Sequence, residues 1–63
     1  MYKIYFLQNN KIVLSRETNN REIALRVYKN YIANSQYIQK DNIIIVLYYN
    51  KKRLKTYKKP LTK

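Results

Sequence analysis

The sequence contains the same short pattern twice: an apolar run, a break that includes asparagine, and a second run with apolar residues in it. The first copy is YKIYFLQNNKIVLS, residues 2–15, and the second is IIIVLYYNKKRLKTY, residues 43–57. Runs of β-branched and aromatic residues on either side of a short turn are typical of β-hairpins. Because one isolated hairpin is marginal in water, we expect the two copies to pair side by side in one sheet.

The turns of these hairpins have to be built without glycine, since the chain contains none. Asparagine occurs eight times, and after glycine it is the residue that best tolerates a positive φ. We therefore expect Asn9-Asn10 to turn the first hairpin and Asn50-Lys51 to turn the second.

The stretch between the hairpins has the pattern of an amphipathic helix. Apolar residues at positions 23, 24, 27, 28, 31 and 32 fall on one side of a helix. Asn19 and Glu22 have the spacing of a capping box, and the end is expected between residues 34 and 39. The sequence thus predicts an α+β ββαββ domain, a four-stranded antiparallel sheet of two hairpins with one helix on one face. Residues 1–57 are assigned to this domain and residues 58–63 to a basic flexible C-terminal tail.

Alternate residues of a strand point to opposite sides of a sheet, so each predicted strand contributes to two faces. In the first hairpin, a two-residue Asn9-Asn10 turn or a four-residue loop over residues 8–11 would both pair Leu7 with Ile12 and Tyr5 with Leu14. The more aliphatic face is assigned to the core beneath the helix: Ile4, Phe6, Val13, Ile43, Ile45, Leu47 and Leu54. The opposite face mixes tyrosines with basic and aliphatic residues: Lys3, Tyr5, Leu7, Ile12, Leu14, Arg16, Ile44, Val46, Tyr48, Arg53, Lys55 and Tyr57. One helix covers one side, so we expect this opposite face to be exposed.

The charge of the chain is strongly positive and unevenly distributed. The net charge is +11, from 14 basic and 3 acidic residues. Residues 51–63, KKRLKTYKKPLTK, contain seven basic residues and no acidic one. Such a block is most often a solvated tail. When it has a function, the commonest is to neutralise phosphates and release their counterions.

Three interpretations of the opposite face remain open. Lysine and tyrosine side chains can simply solvate an open sheet, or the aliphatic residues can form a homodimer or another protein interface. Alternatively, the tyrosines stack on bases while the cations contact phosphates. This third interpretation predicts a small nucleic-acid-binding module, for DNA or RNA, with weak sequence preference. The candidate binding residues are Lys3, Tyr5, Arg16, Tyr48, Lys51, Lys52, Arg53, Lys55, Tyr57, Lys58 and Lys59.

The sequence offers little for catalysis. It has no histidine and no cysteine, which removes the commonest general base and the commonest metal ligands. The three acids, Glu17, Glu22 and Asp41, are spaced in no pattern that brings them together. We expect no enzymatic activity, no cofactor and no metal site. No apolar run approaches the roughly 18 residues that span a bilayer and no signal peptide is recognisable, so the expected location is cytoplasmic. From the charge of the chain, the expected partner is nucleic acid or a nucleoprotein complex, not a membrane.

The composition also suggests an origin. Much Lys, Asn, Ile and Tyr with no glycine is typical of translation from an AT-rich genome. Compact basic chains of this kind resemble products of phages, plasmids and other mobile elements. The resemblance implies an alternative function: a non-enzymatic protein-binding inhibitor, for example of the anti-CRISPR type, that acts in the host cell on a complex that handles nucleic acid.

Overall fold

The computed structural model describes residues 1–37 and 41–59 and has the predicted order of elements. Strands β1 (Tyr2–Gln8) and β2 (Lys11–Thr18) form the first hairpin, helix α1 (Arg21–Ser35) follows, and β3 (Ile43–Tyr49) and β4 (Lys52–Lys59) form the second. All strand pairs are antiparallel, in the order β2-β1-β3-β4. The ββαββ prediction is therefore confirmed, and β2 and β4 are the edges of the sheet.

The last strand is longer than the sequence indicated. Strand β4 continues through Lys58 to Lys59, whereas the predicted strand ended at Tyr57 and the predicted tail began at Lys58. The remainder of that predicted tail, residues 60–63, lies outside the described residues.

Asparagine builds both hairpin turns, as predicted. Asn9 has φ 51°, Asn10 has φ 68° and Asn50 has φ 55°, which is the left-handed region that asparagine tolerates better than other residues with a β-carbon. The first turn is also held by Asp41, whose carboxylate accepts hydrogen bonds from Gln8 Nε2 at 2.8 Å and from Asn9 Nδ2 at 3.0 Å. Side chains thus connect the first turn to the segment just before β3, in addition to the β1–β3 pairing.

The helix begins one residue later than the capping pattern suggested. Asn20, not Asn19, is the N-cap, and its side-chain oxygen accepts from the backbone N–H groups of Glu22 and Ile23. Thr18 Oγ1 accepts from the Asn20 N–H at 3.1 Å, which holds the cap residue in place. The predicted capping box is wrong, because Glu22 is then too close to the cap to reach back. The helix ends at Ser35, within the predicted interval.

The core lies between α1 and the two central strands. Ile4 and Phe6 from β1 pack with Ile43, Ile45 and Leu47 from β3, as predicted, beneath Ala24, Val27 and Tyr28 of the helix. The Tyr31 ring contacts Phe6 edge to face at 5.6 Å between ring centroids, an arrangement that aromatic pairs prefer. Burial raises the pKa of the Tyr28 phenol.

A bulge in β2 overturns part of the predicted face assignment. Phe6 is opposite Leu14 and Leu7 is opposite Ile12, which leaves Val13 as an extra residue. Because one extra residue reverses the alternation beyond it, Leu14 lies on the helix side and Tyr5 is opposite Ser15. The predicted Tyr5–Leu14 pairing is wrong. Val13, predicted in the core, is 47% exposed.

Strand β4 contains a matching bulge at Leu54. Tyr48 is opposite Arg53, but Leu47 is opposite Lys55. Lys55 and Tyr57 therefore lie on the helix side of the sheet, and their predicted place on the opposite face is wrong. Leu54, the other residue wrongly predicted in the core, is 45% exposed.

Candidate nucleic-acid interface

The side of the sheet away from α1, here called the open face, consists of three rows of residues that cross the strands. Read from β2 to β4, the rows are Glu17–Lys3–Tyr48–Arg53, Ser15–Tyr5–Val46–Thr56 and Ile12–Leu7–Ile44–Lys58. Residues directly opposite each other on neighbouring strands share a face and lie about 5 Å apart. The open face thus has an aromatic, basic end and an apolar end.

Two predicted binding tyrosines meet at the centre of this face. Tyr5 lies on β1 and Tyr48 on β3, and their rings contact edge to face with centroids 5.8 Å apart and an interplanar angle of 73°. Both side chains are half-buried, because they lie on the two central strands with neighbours on both sides. Each ring is therefore held in position while part of it remains open to solvent.

Three predicted binding cations lie on the open face, two at its aromatic end and Lys58 at its apolar end. Arg53 and Lys58 are exposed on β4. Lys3, on β1, is opposite Tyr48 of β3, and its Nζ is 3.9 Å from Glu17 Oε1 on β2. Both side chains of this ion pair are open to water, at 41% and 58% exposure, so solvent screens their attraction.

The other predicted cations of β4 lie on the helix side. Lys52, Lys55 and Lys59 lie there, with Tyr57 between the last two, beside a helix that packs mainly against β1, β2 and β3. Lys59 has a structural contact, since its Nζ donates to the Ser35 carbonyl oxygen at 2.7 Å. A cation at a helix C-terminus is favourable because it lies at the negative end of the helix dipole.

The remaining predicted binding residues are dispersed. Tyr57 packs against the core from the helix side, so its ring is not part of the open face. Arg16 is opposite Ile4 and also lies on the helix side, on the far edge strand. Lys51 lies in the turn between β3 and β4, where it is exposed.

The positive charge of β4 has no acidic neighbour in β3 or β4. Strand β4 contains five basic residues among eight, and neither of these two strands contains an acid. Of the acids, Glu17 lies on β2, about 14 Å from β4 at three strand spacings, and Glu22 lies in the first turn of α1. Asp41 accepts the two amide hydrogen bonds described above. Among the described residues, Lys3–Glu17 is the one salt bridge within 4 Å.

Sequence reasoning missed the acid and the hydroxyls of the open face. Glu17, Ser15 and Thr56 take the positions that were predicted for Arg16, Leu14 and Lys55. The patterns of both strands predict regular alternation, and neither Val13 nor Leu54 is a residue that marks a bulge. The apolar end of the face was predicted correctly: Ile12 is 59% exposed and adjoins the half-buried Leu7 and Ile44.

Neither a metal centre nor a membrane-spanning helix is found in the described part of the chain. No three His, Cys, Asp or Glu side chains come together there. The helix within residues 1–37 and 41–59 is too short and too polar to cross a bilayer. Comparison with protein-family models, curated proteins and solved structures finds no match to this chain.

Proposed function

We propose that this protein is a non-enzymatic nucleic-acid-binding module that acts inside the cell with weak sequence preference. One observation supports this function above the others: β4 presents five basic residues within eight, on both sides of an edge strand, with no acid in β4 or β3. Phosphates are the partner that such a strip attracts most strongly, since bound counterions are released when Lys and Arg neutralise them. Contacts to phosphates position a protein but carry no sequence information.

The arrangement of the strip favours a long polyanion over a small anionic ligand. Arg53 and Lys58 point to the open face, whereas Lys52 and Lys55 point to the helix side. The charges therefore spread along a strand of eight residues, about 26 Å at the usual rise per residue. They do not converge on one point, as a pocket for a single phosphate requires.

The test is a salt titration of binding to fluorescent oligonucleotides of random sequence, single-stranded and duplex, followed by anisotropy. The variant carries Lys52→Gln, Arg53→Gln and Lys55→Gln; its control carries Arg21→Gln, Arg26→Gln and Lys29→Gln, three exposed residues of α1. We expect the β4 variant to lose about 2 units of the log–log salt slope on single strands and the equally charged helix variant to lose much less. Equal losses would show that only net charge matters, and no binding at low salt would refute the proposed function.

A second candidate is the protein-binding inhibitor of phage or mobile-element type. The specific observation in its favour is the row Ile12–Leu7–Ile44, which leaves aliphatic surface open next to Tyr5. Such a patch is suited to a protein partner, for instance a host complex that handles nucleic acid. Capture of a defined partner that survives nuclease treatment and is lost in Ile12→Lys would favour this candidate. A homodimer through the same face has to overcome repulsion between two chains of charge +11, and sedimentation measures it directly.

A further inference from the structure

One row of the open face combines an aromatic ring with a cation on each side. The row runs Glu17–Lys3–Tyr48–Arg53 and crosses all four strands. Neighbouring strands are about 4.8 Å apart, so the backbones at Lys3 and Arg53 are separated by about 10 Å with Tyr48 midway between them. Ring and cations thus come from three different strands and are aligned across the sheet, not along it.

The Tyr48 ring is partly open to solvent and is restrained by a neighbouring ring. It is half-buried, and the Tyr5 ring contacts it edge to face at 5.8 Å, which limits its rotation. A base stacks on such a ring whatever its identity, because every base has a π face. The sugar-phosphate backbone on either side of that base would come within reach of the long, flexible side chains of Lys3 and Arg53.

The geometry points to single-stranded nucleic acid as the partner of this row. In this inference, which rests on the proposed function, one unstacked base lies on Tyr48 and the phosphates on its two sides contact Lys3 and Arg53. A duplex keeps its base faces stacked inside and offers phosphates and groove edges only. A single strand supplies both the negative charge and the aromatic face that this row complements.

Glu17 has a defined role in this arrangement. Its carboxylate lies at the β2 end of the same row and holds Lys3 at 3.9 Å. A phosphate that approaches Lys3 competes with this carboxylate for the ammonium group and is also repelled by it. Glu17 therefore weakens binding at one end of the row, so the strand is held more tightly at the Arg53 end.

The first experiment compares tyrosines in binding to an oligothymidine and to a DNA hairpin of equal length. Tyr48→Leu should weaken binding to the single strand by about 5- to 100-fold and alter hairpin binding little. Tyr48→Phe should retain most of the affinity. Tyr37→Leu, at an exposed tyrosine just beyond the helix, is the matched control and should bind like the parent protein.

The second experiment removes one negative charge at either of two places. Glu17→Gln should tighten binding to the oligothymidine several-fold more than Glu22→Gln, although both raise the net charge equally.

A third experiment removes one positive charge. Arg53→Gln should lower the salt slope on the single strand by about 0.7, and Arg26→Gln should lower it less. Circular dichroism melts establish that each variant is folded, and Arg53→Gln, at an exposed residue, tests the row without altering a packed ring.

The outcomes separate this inference from the proposed function. Equal binding to single strand and hairpin, with no effect of Tyr48→Leu, would overturn the single-strand assignment and leave the charged strip intact. Equal effects of Glu17→Gln and Glu22→Gln would show that the row has no local role and would also overturn it. If no oligonucleotide binds at low salt, both proposals fail. If Tyr48 is needed only for capture of a protein partner, and that capture survives nuclease treatment, this inference alone fails.

Discussion

The two edge strands of the sheet have the same position in the fold and different chemistry. β2 and β4 have eight residues each, each is the outer strand of a hairpin, and each has a register shift that leaves one bulged residue. Exposed edges invite pairing with other chains, and bulges and lysines both prevent it. β2 achieves this with its bulge and two basic residues, while Ile12, Val13 and Leu14 remain exposed. The five basic residues of β4 exceed what an edge needs, which is why we relate the four exposed ones to binding.

The comparison also separates two kinds of residue within β4. Tyr57 packs against the core and Lys59 donates to the end of the helix, so part of this strand is structural. Lys52, Arg53, Lys55 and Lys58 are exposed and carry charge without closing the core. Predictions about stability and predictions about binding should therefore fall on different residues of the same strand.

The largest expected effect is on the free energy of unfolding, and it distinguishes a central strand from an edge strand. Leu47→Ala on β3 removes a side chain that is 1% exposed, and we expect it to lower the free energy of unfolding by about 2–5 kcal/mol. Leu54→Ala, at the β4 bulge, should change it by no more than about 0.5 kcal/mol. Urea denaturation followed by circular dichroism measures both. Similar losses at the two leucines would mean that Leu54 lies in the core and that the bulge is misplaced.

A smaller effect is expected from the contact that joins β4 to the helix. Lys59→Ala removes the hydrogen bond from Nζ to the Ser35 carbonyl and should lower the free energy of unfolding by about 1 kcal/mol. Lys58→Ala, next to it on the open face, should leave stability nearly unchanged and weaken nucleic-acid binding more than Lys59→Ala does. The reverse ranking in either assay would break the division of β4 into structural and binding residues.

The smallest effect is expected at the corresponding contact of β2. Lys3 and Glu17 join β1 to β2 by an ion pair open to solvent, and such pairs contribute roughly 0.2–1 kcal/mol. A double-mutant cycle with Lys3→Gln and Glu17→Gln should give a coupling in this range that decreases as salt is added. A coupling well above it, insensitive to salt, would show that the pair is a structural tie like Lys59 and would contradict its role as an exchangeable contact.

Most of the fold could be predicted because its signals are local. Asn9, Asn10 and Asn50 adopt the positive φ that a chain without glycine requires of its turns. The apolar spacing of α1 and the aliphatic run of β3 indicated the helix and the central strand. The N-cap was displaced by one residue because Asn19 and Asn20 are the same residue type and the sequence does not distinguish them, whereas in the structure Thr18 accepts from the Asn20 N–H.

The sequence by itself determined the two hairpins, the single helix, the central core and the excess of positive charge on the last strand. Only the tertiary structure decided which side of the sheet the edge residues occupy, and so placed Lys55, Tyr57 and Leu14 on the helix side. The physical reason is that a bulge adds one residue at Val13 or Leu54, and neither residue differs from those of a regular strand. The alternation reverses where pairing of the edge strand with its neighbour requires it, and that requirement exists only once the chain is folded.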